Sequence, residues 1–145
     1  MTGTIITIAQ QKGGAGKTTL AVQLAVALAH SGKRVVAIDI DPQMSLSTWF
    51  SMRAEMHGDI VYKGSGALQI VQVTGWRAAS EIERQAKEND VVIVDSPPHA
   101  ETEARIAVRN AHLAVVPVQP SPMDVWATRP TLEMATKEKT PVLLV

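Results

Sequence analysis

The chain of 145 residues contains no cysteine, which excludes disulfides, thiolate-bound zinc and iron–sulfur clusters. Aromatic residues are also scarce, with one Phe, one Tyr and three Trp. A core must therefore be built mainly from Val, Ile, Leu, Ala and Met, a composition that suits a parallel sheet covered by helices. Hydrophobic residues make up 46% of the chain, which predicts a single folded domain over residues 1–145.

Net charge and long apolar runs are absent as well. The 14 basic side chains balance the 14 acidic ones, so overall charge gives no argument for binding DNA or a membrane surface. No stretch approaches the ~20 consecutive apolar residues of a membrane helix. Residues 1–9 lack the basic and apolar regions of a signal peptide. We therefore expect a cytoplasmic protein without a membrane segment.

Short apolar runs alternate with longer helical patterns along the chain. The predicted strands are 4–9, 34–39, 68–73, 91–95, 113–118 and 141–145, and the predicted helices are 17–31, 45–56, 77–88, 101–110 and 123–138. This alternation predicts an α/β fold, with a mostly parallel twisted sheet and helices on both faces. No helix follows the last predicted strand, so we expect a domain that is truncated at its carboxyl end.

Three features of the predicted helices can be compared directly with a structure. The first helix should face the core with a leucine-rich stripe, formed by Leu20, Leu24, Ala27 and Leu28. Gly32 should end that helix. Pro130 should start, kink or break the last helix, because proline lacks a backbone N–H. The three tryptophans are expected to be packing residues, with an interface contact as a second role for Trp126.

The strongest local signal is a glycine-rich segment between the first predicted strand and helix, Lys12-Gly13-Gly14-Ala15-Gly16-Lys17-Thr18-Thr19. Its backbone N–H groups can cradle phosphate oxygens, and the positive end of the following helix adds attraction. Lys17 can reach the β- and γ-phosphates, Thr18 can ligate Mg²⁺, and Thr19 can contact the α-phosphate. A turn that only joins strand and helix needs no Gly-Lys-Thr, so we interpret this segment as a phosphate loop.

The loop departs from the general pattern G-x-x-x-x-G-K-[ST] at one position, because Gln11 stands where the first glycine is expected. With its additional lysine in front, the segment resembles the deviant Walker A motif of the ParA/MinD family of P-loop ATPases. Further segments resemble the family's other motifs in order: 39–43, 92–98 (Walker B and switch II) and 116–124 (near the base). The run 44–49 is most similar to the small, ParF-like plasmid-partition proteins.

The resemblance implies catalytic, nucleotide-binding and metal-binding roles. The implied catalytic residues are Lys12, which would reach the partner's phosphates in a nucleotide-sandwich dimer, Lys17, and Asp41, which would lie beside the attacking water. Asp39 and Asp95 would hold Mg²⁺ together with Thr18. The implied nucleotide-binding residues are Gly13, Gly14, Ala15, Gly16, Lys17, Thr18, Thr19 and Pro117.

The aspartates also have a structural interpretation, as helix caps or solvated carboxylates at strand ends. Asp39, Asp41 and Asp95 follow or end predicted strands beside the phosphate loop, at the edge where open α/β sheets bind ligands. We favour the functional interpretation for these three. Asp124 stands near a predicted helix start, where a capping role is the more common one. The four histidines have no metal-ligand spacing.

The resemblance further implies a magnesium-dependent ATP hydrolase, weakly active alone and stimulated by dimerisation and a partner. The expected ligands are ATP, ADP and Mg²⁺, because residues 136–139 do not form the guanine motif Asn/Thr-Lys-x-Asp. Expected partners are a second copy, as a sandwich homodimer or polymer, and a centromere-binding adaptor of the ParB/ParG type. Non-specific DNA is expected for the full-length protein, with association to the nucleoid.

Two functions stay open at this point. The first is plasmid or chromosome partition through an ATP-driven cycle of dimerisation and DNA association. The second is a nucleotide-switched scaffold for positioning or assembly, acting on protein clusters, cellulose synthesis or conjugation. A metabolic P-loop synthetase is a third option, for which no substrate motif is visible. The nitrogenase-iron-protein branch is excluded by the absence of cysteine.

Overall fold

A computed structural model describes residues 2–10, 16–40, 45–57, 67–97 and 101–145. The strands are β1 (Thr4–Ile8), β2 (Arg34–Asp39), β3 (Ala67–Gln72), β4 (Val91–Asp95), β5 (Leu113–Val116) and β6 (Val142–Leu144). The helices are α1 (Lys17–His30), α2 (Ser45–His57), α3 (Ala78–Glu88), α4 (Glu101–Arg109) and α5 (Pro122–Lys137), with one 3-10 turn at Gly75–Arg77 before α3. Each predicted element is present, with ends that differ by no more than two residues.

The described strands form one parallel sheet in the order β3-β2-β4-β1-β5-β6. The predicted α/β fold is therefore confirmed. The chain leaves β1 toward β2 on one side and leaves β5 toward β6 on the other. The crevice between the ends of β1 and β5 is thus a topological switch point, the usual place of ligand sites in open α/β sheets.

Strands β2 and β4 are mostly apolar, because helices cover both of their faces. All five residues of β4 are buried, and in β2 only Arg34 is exposed. Toward α1 the sheet contributes Ile8, Val35, Val91, Ile93 and Val115. Toward α3 and α4 it contributes Ile5, Val36, Ile38, Val92 and Val94. Successive residues of a strand thus supply two different cores.

The predicted buried face of α1 is confirmed only in part. Its fully buried apolar residues are Ala21, Val22, Ala25 and Ala29, whereas the three leucines of the predicted stripe are half-buried and Ala27 is exposed. Both stripes have helical spacing, so periodicity alone does not separate them. The short alanine side chains lie directly against the sheet, and the leucines pack beside them.

Gly32 ends α1 as predicted. Its φ of +94° lies in the left-handed region that favours glycine. The N–H of Gly32 donates to the carbonyl of Ala29 at 3.0 Å, and the N–H of Lys33 donates to that of Leu28 at 3.2 Å. This pair of bonds is the Schellman motif, which satisfies carbonyls at the helix end.

The last helix neither starts nor breaks at Pro130. It begins at Pro122, behind the N-cap residue Ser121, and continues past Pro130 to Lys137. Ser121 accepts a hydrogen bond from the N–H of Asp124 at 3.2 Å, and the two side chains are also hydrogen-bonded to each other. The capping residue is therefore Ser121, and Asp124, for which a capping role was the more common expectation, instead supplies the N–H that is capped. Pro130 cannot donate to the carbonyl four residues before it, that of Trp126.

Two of the three tryptophans are not packing residues. Trp76 is 80% exposed and Trp126 is 70% exposed, which contradicts the expected packing role for both. Trp49 is partly buried against Val22 and Leu46, as expected. Within the described ranges, no helix is both long and apolar enough to cross a membrane.

Candidate nucleotide-binding site

The carboxyl ends of the central strands bring the predicted site residues to one edge of the sheet. Asp39 at the end of β2 is in register with Asp95 at the end of β4, and Asp95 is in register with Ile8 at the end of β1. Neighbouring strands lie about 4.8 Å apart. Because α1 also starts at this edge, residues 16–19 of the predicted phosphate loop, both aspartates and Pro117 lie at the same end of the sheet.

Gly16 forms the entry to α1. Its φ of +87° is in the left-handed region, and its carbonyl accepts the first helical hydrogen bond, from Leu20 at 2.9 Å. Glycine takes this conformation without the strain that a side chain would add. The first turn of a helix presents backbone N–H groups that the helix itself does not use, and it carries a partial positive charge. The start of α1 is therefore suited to an anion.

The Lys17 side chain lies over the end of β4. Only 8% of Lys17 is exposed, and its Nζ donates to the carbonyl of Ser96 at 2.9 Å. The Ser96 hydroxyl in turn donates to the carbonyl of Ile8 at 2.9 Å. A buried ammonium is costly unless it is hydrogen-bonded. The structure thus holds a positive charge at the amino end of α1, where phosphate oxygens would bring the opposite charge.

Thr18 and Asp95 meet as predicted. The Thr18 hydroxyl donates to Oδ2 of Asp95 at 2.8 Å, and Asp95 has no exposed surface. A hydroxyl and a carboxylate are hard oxygen ligands of the kind that Mg²⁺ prefers, usually together with waters and substrate phosphates. These two groups, with the helix start and the ammonium of Lys17, fit a magnesium-bound nucleotide.

Both interpretations of the aspartates, as metal ligands and as partners of a helix start, apply to Asp39. It is fully buried beside Asp95, but its Oδ2 accepts hydrogen bonds from the N–H of Ser47 at 3.0 Å and from the Ser47 hydroxyl at 2.8 Å. These bonds satisfy a donor in the first turn of α2. The structure therefore places Asp39 at the predicted edge, with Oδ2 directed to α2.

A cavity of about 430 Å³ opens at the switch point between β1 and β5. It is lined by Gly16, Thr19, Leu20, Gln23, Pro117, Val118, Gln119 and Val145. Its size falls in the range of about 300–1,000 Å³ found for small-molecule sites. Three of the predicted nucleotide-binding residues, Gly16, Thr19 and Pro117, share this cavity, and its largely apolar rim suits the face of a base.

The structure also reveals a buried polar network that the sequence did not indicate. Gln10 is 4% exposed, and its Nε2 donates to the carbonyl of Pro117 at 3.2 Å and to Oγ1 of Thr128 at 2.9 Å. Its Oε1 accepts from the Thr131 hydroxyl at 3.1 Å. The sequence offers only weak evidence for this network, namely a glutamine just before the loop and two threonines three residues apart on a helix.

Several predicted site residues lie outside the described ranges: Lys12, Gly13, Gly14, Ala15 and Asp41. Their roles stay predictions. In the part of the chain that is described, no group of three or more His, Cys, Asp or Glu side chains could hold a metal ion. The residues that fit one are Thr18 and Asp95, with the carboxylate of Asp39 on the adjacent strand.

Comparison with known proteins links this geometry to a family. The profile of the CobQ/CobB/MinD/ParA nucleotide binding domain matches residues 6–104. The "Protein ParA" of Rhizobium radiobacter is 30% identical over 135 residues, covering 93% of this chain and 57% of its own. The "Maintenance of carboxysome distribution protein A" of Gloeobacter kilaueensis is 36% identical over 134 residues, covering 90% and 56%. The chain thus spans a little over half the length of these relatives.

Solved structures share the fold at lower identity. A Cyanothece McdA variant in complex with ATP has a TM-score of 0.78 and 20% identity, covering 99% of this chain and 69% of its own. The septum site-determining protein MinD of Pyrococcus horikoshii with Mg-ADP has a TM-score of 0.75 and 24% identity, covering 97% and 68%. The pNOB8 ParA bound to non-specific DNA has a TM-score of 0.73 and 20% identity, covering 95% and 61%.

Proposed function

Since the chain belongs to the CobQ/CobB/MinD/ParA family of nucleotide-binding domains, we propose that it binds Mg-ATP at the edge of the sheet and hydrolyses it. The observation that carries the proposal is the meeting of three groups at the start of α1. The ammonium of Lys17, the hydroxyl of Thr18 and the carboxylate of Asp95 all lie there, beside the 430 Å³ cavity. Phosphoryl transfer depends mainly on positioning and charge neutralisation, which these groups supply.

Each residue has a distinct part in this proposal. Lys17, which donates to the Ser96 carbonyl, directs its charge to phosphate oxygens, because hydrogen bonds to an anion are stronger than those to a neutral carbonyl. Thr18 and Asp95 hold Mg²⁺, which when bound neutralises charge on the phosphates. Thr19 and Pro117 border the remainder of the nucleotide. Two further residues complete the proposal. Lys12 reaches the phosphates bound by a second copy in the dimer, and Asp41 orients the attacking water.

At the level of the cell we propose plasmid or chromosome partition through an ATP-driven cycle. A homodimer or polymer forms with ATP, associates with non-specific DNA, and is released when a centromere-binding adaptor of the ParB/ParG type stimulates hydrolysis. The ParA relative and the DNA-bound ParA neighbour support this proposal. The cycle places the protein in the cytoplasm, in association with the nucleoid.

A specific observation supports positioning of protein assemblies as a second candidate. The carboxysome-distribution relative is 36% identical to this chain, against 30% for the ParA relative. Deleting the gene separates the two functions. Partition predicts faster loss of a plasmid or mis-segregation of the chromosome, whereas positioning predicts normal inheritance of DNA with clustered, unevenly distributed protein particles.

The proposed hydrolysis is tested by measuring phosphate release from ATP with Mg²⁺. We expect Lys17→Ala to abolish turnover, because the variant loses the ammonium at the start of α1. The matched control is Lys87→Ala, which removes an exposed lysine of α3 and should retain the wild-type rate. Equal turnover by wild type and Lys17→Ala would contradict the proposed site.

A further inference from the structure

Gln10 joins the two sides of the nucleotide crevice. It follows β1 and stands directly before the phosphate-loop segment, whereas its partners follow β5 or lie in α5. The bonds span sequence separations of 107 to 121 residues. Pro117, whose carbonyl accepts from Gln10, is also a lining residue of the cavity. One buried amide thus links the loop side of the crevice to its opposite rim.

The direction of the hydrogen bonds fixes the orientation of the amide. Nε2 donates to the Pro117 carbonyl and to Thr128, whose hydroxyl donates onward to the carbonyl of Asp124 at 2.9 Å. Oε1 accepts from Thr131. A rotated amide would set its oxygen against the Pro117 carbonyl, two acceptors facing each other. Chains of buried hydrogen bonds reinforce one another and define a single arrangement.

The partners on α5 share the burial of Gln10. Thr128 is 3% exposed and Thr131 is 2% exposed, and their spacing of three residues sets both hydroxyls on one helix face. A buried amide without partners is costly, so this network favours one distance between β1 and α5. Through the bond from Gln10 to the Pro117 carbonyl, the same network fixes the Pro117 rim relative to the end of β1.

We infer that Gln10 is a positioning residue for nucleotide binding, which holds the phosphate loop and the Pro117 rim in the relative position that ATP requires. The inference rests on the proposed function, since it assumes that this crevice binds ATP. Gln10 acts through Pro117, Thr128 and Thr131 and needs no contact with the nucleotide. Preorganising a site in this way strengthens binding, because less of the interaction energy is spent on ordering the protein.

The test compares variants in which one hydrogen-bonding side chain of the network loses its polar group. Gln10→Met keeps the length of the side chain but removes the amide, and Thr131→Val keeps the shape of Thr131 but removes its hydroxyl. Thr131→Val removes one hydrogen bond to a buried group and should weaken Mg-ATP binding about tenfold. Gln10→Met removes the three bonds of the amide and should weaken binding at least as much. The double variant should bind no more weakly than Gln10→Met, because that variant already lacks the amide oxygen to which Thr131 donates. Thr131→Ser, which retains the hydroxyl, should bind like wild type.

Calorimetric titration of each variant with Mg-ATP, together with its thermal unfolding midpoint, separates positioning from simple support of the fold. Gln72→Met, an exposed glutamine at the end of β3, is the control and should change neither quantity. A variant with a lowered unfolding midpoint but an unchanged Kd for Mg-ATP would overturn the inference. Losses of Mg-ATP affinity that add up in the double variant would overturn it as well. If Gln10→Met does not fold, Thr131→Val and Thr131→Ser decide the outcome alone. A wild-type protein that binds no ATP would instead refute the proposed function.

Discussion

Two buried charged residues, Lys17 and Asp95, define the site at the scale of single side chains. Lys17 donates a hydrogen bond to the Ser96 carbonyl, and Asp95 accepts one from the Thr18 hydroxyl. Water is largely displaced from both, since Lys17 is 8% exposed and Asp95 is 0% exposed. Charges fixed in such surroundings act on a ligand more strongly than charges in water.

The role of Asp95 can be tested by removing its charge while keeping its shape. We expect Asp95→Asn to raise the Mg²⁺ concentration that half-saturates ATP hydrolysis by about 10–100-fold, because a carboxylate ligand is replaced by an amide. The measurement is the hydrolysis rate at fixed ATP over a range of Mg²⁺ concentrations. Asp90→Asn, at the opposite end of β4 where Asp90 pairs with Arg34, is the control. An unchanged magnesium requirement would remove Asp95 from the metal site.

At the scale of elements, the position of the central strand β1 depends on the glycine before it. The N–H of Gly3 donates to the carbonyl of Ala86 at 2.6 Å, which ties the start of β1 to α3. A Cβ on Gly3 would overlap the carbonyl oxygens of Asn89 and Asp90, and these backbone atoms cannot move without shifting β4. β1 leads into the phosphate loop, so its placement also fixes the site.

This close approach predicts a loss of stability in Gly3→Ala. We expect the free energy of unfolding to fall by roughly 1–3 kcal/mol, the range for overpacked positions, as measured by urea denaturation. Gly75→Ala provides the comparison and should lose less stability, because there the nearest atoms to the new Cβ belong to the side chain of Glu103, which can move more readily than backbone. A Gly3→Ala variant as stable as wild type would show that β1 has room to move.

Strands and helices could be predicted wherever their burial produces a simple pattern of apolar residues in the sequence. The β2 and β4 segments are continuous apolar runs because helices cover both faces, and their predicted ends match the structure. The buried face of α1 was not predictable, since its alanine and leucine stripes have the same helical spacing. The amide of Gln10 and the hydroxyl of Thr131 meet across 121 residues, a contact that no local pattern encodes.

The residues of the candidate site also divide into those that the sequence predicts and those that only the structure reveals. Gly16, Lys17 and Thr18 were identified because the phosphate-loop motif is local and its residues are consecutive in the sequence. The meeting of Thr18 with Asp95 followed from the rule that parallel strands end at one edge. The bonds from Ser47 to Asp39 were missed, because they depend on how the first turn of α2 packs against β2.

On the scale of the whole molecule, one topological feature gathers the functional residues. The chain reverses its direction across the sheet between β1 and β5, and the cavity lies at that reversal. The same fold is present in solved structures with ATP and with Mg-ADP, at 20% and 24% identity. This shared fold fits the proposal, made above from the geometry of the site, that this crevice binds magnesium and an adenine nucleotide.

The most direct test of that claim is a calorimetric titration of the protein with ATP and with GTP, each with and without Mg²⁺. We predict magnesium-dependent binding of ATP at one site per chain, with clearly weaker binding of GTP and loss of ATP binding in Lys17→Ala. Light scattering on the same samples reports whether ATP also produces a dimer. Absence of ATP binding, or equal binding by Lys17→Ala, would contradict the account.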